Sequence, residues 1–306
     1  MVVEFLAASL RIATPLLFAA LGGILSERAG VFAVGLEGMM LAGAFAGVII
    51  SHLLGSLGAG LMAAIGGGAL IAWLVAVATV RFGADQMVTG LSVNILAVGL
   101  TSFLLRGLFA RGEAPIIRVH TLAPLPVPVL ADIPLMGPLL FRQPPLTYVV
   151  AIVAVAVAVF LMRTRAGLTL RATGEHPEAV FSVGTDPARV RSAAVLACGA
   201  LAGLGGAVLS LQQVGTFTDS MTNGRGYIAL AAIIVGRWMP LGTFLGCLLF
   251  GAADALQLRV QGFRLPVSSY VIQMMPYVVA LAVLAGLGRS ARLPAALGVP
   301  FLRERH

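Results

Sequence analysis

Glu37, Asn94 and Gln273 stand inside segments that are otherwise apolar. Polar or ionisable groups in a membrane helix are costly, about 2.5–3.5 kcal/mol for a charge at the helix centre on insertion scales. They therefore face the bundle interior, a water-filled path or an interface. The chemistry open to these three is hydrogen bonding, either to a polar solute passing through the bundle or to a neighbouring helix. Arg11 and Asp254 are further intramembrane charges, Asp254 toward the end of its segment. No series of alternating acids and histidines crosses the segments, which counts against a proton relay.

Other chemistries are excluded by residue type. All 20 basic residues are Arg, and there is no Lys. A phosphate-binding P-loop requires a Lys to neutralise the β- and γ-phosphates. If ATP powers this protein, another chain binds the ATP and its Mg, and this chain needs no cofactor. His52, His120, His176 and His306 are scattered, and Cys198 and Cys247 lie in apolar runs without C-x-x-C spacing. No metal site is expected. No Ser/His/Asp set or H-E-x-x-H motif is present, so no catalytic residue is assigned. The net charge of +8 lies on arginines in short connections, without a basic–aromatic face for nucleic acid.

A second group of residues is polar and lies outside the apolar segments. Residues 163–192 contain Arg163, Arg165, Arg171, Arg189 and Arg191 with Glu175, Glu178 and Asp186. Within them, Gly174-Glu175-His176-Pro177-Glu178-Ala179 reads as a turn followed by a short helix, with Gly174 as the flexible point. Pro177 suits a first helical turn, and Glu178 suits the positive end of the helix dipole. Gly184-Thr185-Asp186-Pro187 forms a second turn. A connection of this length is long for two helices, and its two short elements suggest a docking surface.

The elements that position these residues follow from composition. The chain of 306 residues is 59% hydrophobic and 10% charged, where soluble domains carry about 25% charge. Lipid must solvate much of its surface. The fold class is all-α, a polytopic integral membrane bundle forming one transmembrane domain over 1–306. About nine segments meet the length required by a bilayer or half of it: 5–25, 31–51, 57–80, 86–105, 145–162, 193–211, 225–237, 241–257 and 269–287. The seventh is short enough to be a half-helix or re-entrant. Residues 5–25 lack a basic leader and read as a retained helix. The Pro-rich connection 106–144 reads as extended chain on a membrane face. Arginine bias places 163–192 and the tail 288–306 in the cytoplasm, and counting spans puts the N-terminus outside. Gly43-x-x-x-Gly47, Gly199-x-x-x-Gly203 and Gly242-x-x-x-Gly246 allow close helix contact.

Residues 14–47, with the run SERAGVFAVGLEGMM, resemble the opening of nucleoside-type permeases of bacterial ABC importers, within the branched-chain amino acid and simple-sugar permease family. The similarity continues at 83–107, at RATGEHPEAV (171–180) and most strongly at 200–261. It departs from the usual pattern at Ala33-Val34 and at Asp85. The resemblance implies a bacterial inner-membrane permease for a small polar solute, most specifically a nucleoside. It further implies a second, homologous permease chain, an ABC ATPase docked on the cytoplasmic side, and a binding lipoprotein or periplasmic protein outside. The family's ATPase-coupling pattern, R-A-x-G-E-x-P-E-A, falls on Arg171, Gly174, Glu175, Pro177, Glu178 and Ala179, with His176 between them. Glu37, Asn94 and Gln273 are then candidates for the substrate pathway. A self-contained secondary transporter or channel is the competing reading, although no sustained inverted repeat is visible.

Overall fold

In lipid, an apolar chain can satisfy its backbone only as a helix or a closed barrel. The computed structural model takes the first course over the residues it describes, 2–109, 119–126, 137–262, 271–272, 274–287 and 293–301. Among these residues, seven helices are long and apolar enough to cross a membrane. In chain order the helices are α1 (Val2–Arg28), α2 (Leu36–Leu54), α3 (Leu57–Ala76), α4 (Gln86–Phe109), α5 (Pro145–Arg163), α6 (Arg165–Glu175), α7 (Pro177–Ser182), α8 (Pro187–Ala207), α9 (Arg225–Val235), α10 (Pro240–Gly262) and α11 (Met275–Leu287). Wider π-type turns extend α3 through Val77–Arg81 and α8 through Val208–Val214. The Pro-rich connection contributes one two-residue antiparallel pairing, β1 (Leu125–Pro126) with β2 (Arg142–Gln143).

The helix ends are chemically marked. Ser56 caps α3, Thr164 caps α6 and Asp186 caps α8, each accepting from a backbone N–H with its side-chain oxygen. Proline occupies the first turn of α5, α7 and α8, where its missing N–H costs nothing. Pro15 is the exception, inside α1. Its ring leaves the Arg11 carbonyl without the usual i+4 donor. The Gln213 side-chain amide donates to that carbonyl at 3.0 Å, from the π-turn that ends α8.

Helices α1, α2 and α8 form the buried centre, with Leu17, Phe18, Leu21, Ile24 and Met40 fully covered. Glycine sets their separation. A Cβ on Gly43 or Gly206 would collide with the backbone of the facing helix, α8 or α2 respectively. One on Gly199 or Gly203 would collide with α3. The spacings at 43 and at 199–203 therefore do bring backbones together.

The seventh expected span, 225–237, is the short element anticipated and ends two residues earlier. Helix α9 has 11 residues, about 16 Å long at 1.5 Å per residue and half a hydrocarbon layer. The non-helical stretch 215–224 precedes it, with left-handed backbone at Ser220 (φ 55°) and Asn223 (φ 45°). Irregular backbone at membrane depth is tolerated where protein surrounds it. Here Phe217 is buried with its ring edge-on to Phe45, centroids 5.2 Å apart. In the ninth expected span, 269–287, the described helical residues are 271–272 and α11.

Tertiary hydrogen bonds sort the connections into two ends. Residues 119–126 join the end of α8 through the Val119 and Leu122 amides, which donate to Gly215 and Leu211 carbonyls. At the opposite end, the α1–α2 turn, α6, the α9–α10 turn and the segment 293–301 meet.

Candidate functional site

Two clusters of polar side chains emerge, one at the gathered end and one within the bundle. The first is built on the run Ser26-Glu27-Arg28 at the end of α1. The Ser26 hydroxyl donates to the Val31 carbonyl at 2.8 Å, closing the α1–α2 turn. Glu27 is fully buried and accepts from the Ala33 amide and the Trp238 indole N–H. Arg28 Nε donates to the Trp238 carbonyl at 3.0 Å. Arg237 and Trp238 both adopt left-handed backbone, φ 57° and 55°. Such strain in non-glycine residues persists only where the surroundings over-determine it. Full burial of Trp238 and its bonds to Glu27 and Arg28 supply that restraint.

Helix α6 packs onto this corner. Gly174 is helical and buried, and a Cβ there would collide with the Arg28 carbonyl. It is a point of close approach, which corrects the expectation that it is the flexible point of the turn. The break falls at His176, φ −140° and ψ 79°, before α7 begins at Pro177. Glu175, His176, Glu178 and Ala179 are exposed; Arg171 is half-buried. The Arg171 Nε atom is buried without a hydrogen-bond partner among the described residues. A cleft of about 690 Å³ opens between Arg28, Glu175, Arg237, Met239 and Leu293.

The C-terminal segment completes this end. The Gly174 carbonyl accepts from the Ala296 amide at 2.8 Å, and Glu175 Oε2 from the Ala295 amide at 3.1 Å. Arg191 on α8 is buried and donates to the carbonyls of Ala29, Val299 and Ala296. The Phe181 ring of α7 lies 5.9 Å from that of Phe301. Sequence reasoning counted Arg191 only as a topology charge and missed Glu27 and Trp238. The polar run SERAG, abrupt at the end of an apolar helix, was the available signal for Glu27.

The second cluster brings together Glu37 and Asn94. Both Glu37 oxygens are occupied, accepting from the Gly224 amide at 2.8 Å and the Gly226 amide at 2.6 Å. Glu37 thus sits on the N-terminus of α9, where the free N–H groups and the dipole favour an anion. Asn94 Oδ1 accepts from the Gly38 amide at 2.8 Å. Its Nδ2 donates to the Val34 carbonyl and the Tyr227 hydroxyl, each at 2.9 Å. The carboxylate and carboxamide tie α2, α4 and α9 together, and Tyr227 is the member of this set exposed on the bundle surface. Arg225 pairs with Asp254 of α10 at 3.7 Å, and the Tyr277 hydroxyl of α11 donates to the Asn223 carbonyl at 3.3 Å. Gln273 lies outside the described residues. Among the described residues, no group of His, Cys, Asp or Glu could hold a metal ion.

A multi-pass bundle with an irregular half-span inside the membrane and short helices capping one end has the form of a transport permease. The chain belongs to the family described as branched-chain amino acid transport system / permease component, whose model matches residues 5–287. It is similar to the guanosine ABC transporter permease protein NupQ of Bacillus subtilis, 36% identical over 97% of this chain and 96% of the relative. The nucleoside ABC transporter permease protein NupC of Lactococcus lactis is 39% identical over 95% of this chain and 94% of the relative. The putative glucose ABC transporter permease protein TsgC13 of Haloferax volcanii is 35% identical over 84% and 78%.

Proposed function

We propose that this chain is the permease subunit of an ATP-driven importer of nucleosides in the bacterial inner membrane. The observation that carries the reading is the end-to-end similarity to two permeases named for guanosine and nucleosides. The sugar permease is matched over less of both chains, which favours the nucleoside as solute. ATP and Mg belong to a partner ATPase, since this chain lacks the Lys of a phosphate-binding loop. The outer partner is a substrate-binding lipoprotein or periplasmic protein. A second, homologous permease chain completes the pathway.

The ATPase docks on the end formed by residues 171–179. Glu178 and Ala179 project from α7, and the buried contacts of Gly174 carry displacement of this surface to α1 and the α1–α2 turn. This end is cytoplasmic and the N-terminus external. Among the described residues, Arg28, Arg81, Arg163, Arg165, Arg171, Arg189, Arg191 and Arg237 lie toward it, against Arg106, Arg142 and Arg259 toward the other end, an excess in the direction that arginine bias favours. Glu37 and Asn94 fix the N-terminus of α9 beside the pathway. Tyr227 is the hydroxyl best placed to meet a sugar hydroxyl or a base amide.

The test is uptake of labelled guanosine into proteoliposomes containing this chain with its co-purifying partners, with the binding protein and guanosine added outside and ATP enclosed in the lumen. Uptake that requires ATP on the ATPase side, and is competed by nucleosides over glucose, supports the reading. Uptake by this chain alone without ATP would overturn it in favour of a self-contained transporter.

A further inference from the structure

A cavity of about 610 Å³ lies apart from both polar clusters, between α1, α5, α6 and α8. Leu25 of α1, Ala156 and Phe160 of α5, Leu170 of α6, and Ala193 and Ala197 of α8 line it. A lining this apolar offers ordered water too few hydrogen-bond partners. The α5 wall is continuous with a lipid-facing surface, where Ile152 and Val155 are 69% and 65% exposed.

Helical register places an arginine at the polar end of three walls. Arg163 follows Phe160 by three residues and Ala156 by seven, on one face of α5. Arg165 precedes Thr169, which also lines the cavity, by four. Arg189 precedes Ala193 by four. Positions spaced by three, four or seven share a helix face. Arg189 is paired with Asp186 at 3.5 Å. Arg163 and Arg165 are exposed, and their guanidinium groups have no ion-pair or hydrogen-bond partner among the described residues.

We infer that this cavity binds an anionic phospholipid, with an acyl chain between α5 and α8 and the phosphate held by Arg163 and Arg165. The bilayer is as apolar as the cavity, so moving a chain between them supplies packing and little hydrophobic gain. Selectivity must come from the headgroup. Two arginines beside an anionic phosphate provide it, whereas a zwitterionic lipid places its own cation beside them. The site requires neither ATP nor a partner chain and stands independently of the importer reading.

The experiment is native mass spectrometry of the full chain, released from nanodiscs made with phosphatidylglycerol and phosphatidylcholine. The wild type should retain phosphatidylglycerol preferentially. Arg163→Gln with Arg165→Gln should cut that preference roughly tenfold or more. Ala193→Phe, at an exposed lining position, should reduce retention of both lipids. Equal retention of the two lipids by the wild type, or an unchanged preference in the double variant, would overturn the site. So would protection of Ala193→Cys by a partner chain in the assembled complex with no lipid retained.

Discussion

Glu175 accepts a hydrogen bond from the backbone N–H of Ala295 at 3.1 Å, so the last residue of α6 holds the C-terminal segment. The two acids of the coupling pattern therefore face different tasks. Glu175 is bonded within the chain, and Glu178 projects from the first turn of α7.

That division predicts opposite outcomes for two charge changes. Glu178→Arg should leave the melting temperature of the purified chain within a degree or two, as for exposed substitutions, and abolish ATP-driven uptake. Glu175→Ala should cost about 1 kcal/mol or less, since the bond is exposed. It should also raise amide exchange across 293–301. Normal uptake in Glu178→Arg membranes would remove that residue from the docking surface.

Arg191 fastens the same segment from beneath. Arg191→Met removes three bonds to carbonyls and leaves buried acceptors unmatched, which should cost roughly 2–4 kcal/mol. Arg191→Lys should recover only part of this, because a single ammonium cannot reproduce the planar fork. Thermal denaturation in detergent, compared for both variants, measures the difference.

Glu27 and Trp238 should behave as a coupled pair. Trp238→Phe strands a buried carboxylate oxygen and should destabilise by roughly 2 kcal/mol or more. Added to Glu27→Gln, the same change should cost less, giving a coupling of about 1–2 kcal/mol in a double-mutant cycle. Additive losses would mean that the indole is held by packing alone.

At Pro15 the expectation is suppression. Gln213→Leu strands the Arg11 carbonyl and should lower stability by about 1 kcal/mol. Pro15→Ala restores the intrahelical donor to that carbonyl, so the double variant should melt close to wild type.

Asn94 and Tyr227 separate scaffold from solute contact. Asn94→Leu removes three hydrogen bonds and should reduce folded yield, whatever its effect on transport. Tyr227→Phe keeps the ring and removes only the hydroxyl. It should cost only about 1 kcal/mol, since Asn94 Nδ2 loses one of its two acceptors, and raise the apparent KM for guanosine several-fold. An unchanged KM would take Tyr227 out of the pathway.

Sequence alone determined the solvent of this protein, because 10% charge cannot cover a water-soluble surface of this size. It also determined the long spans, since backbone in lipid must close its own hydrogen bonds and runs of about 20 apolar residues do so as helices. Local chemistry was legible as well: Pro177 and Glu178 begin α7, and Gly184-Thr185-Asp186-Pro187 turns into α8, because turns and first helical turns depend on neighbours in the chain. What each intramembrane polar group touches was decided by tertiary structure. Glu37 is 187 residues from Gly224, and Arg191 is 108 from Val299. Spacing along one helix carries no information about a partner that distant. The short α9 was legible from its length, but the conformation of the irregular stretch before it was hidden. Only the surrounding helices supply the burial and the carboxylate that let the backbone depart from helix at membrane depth.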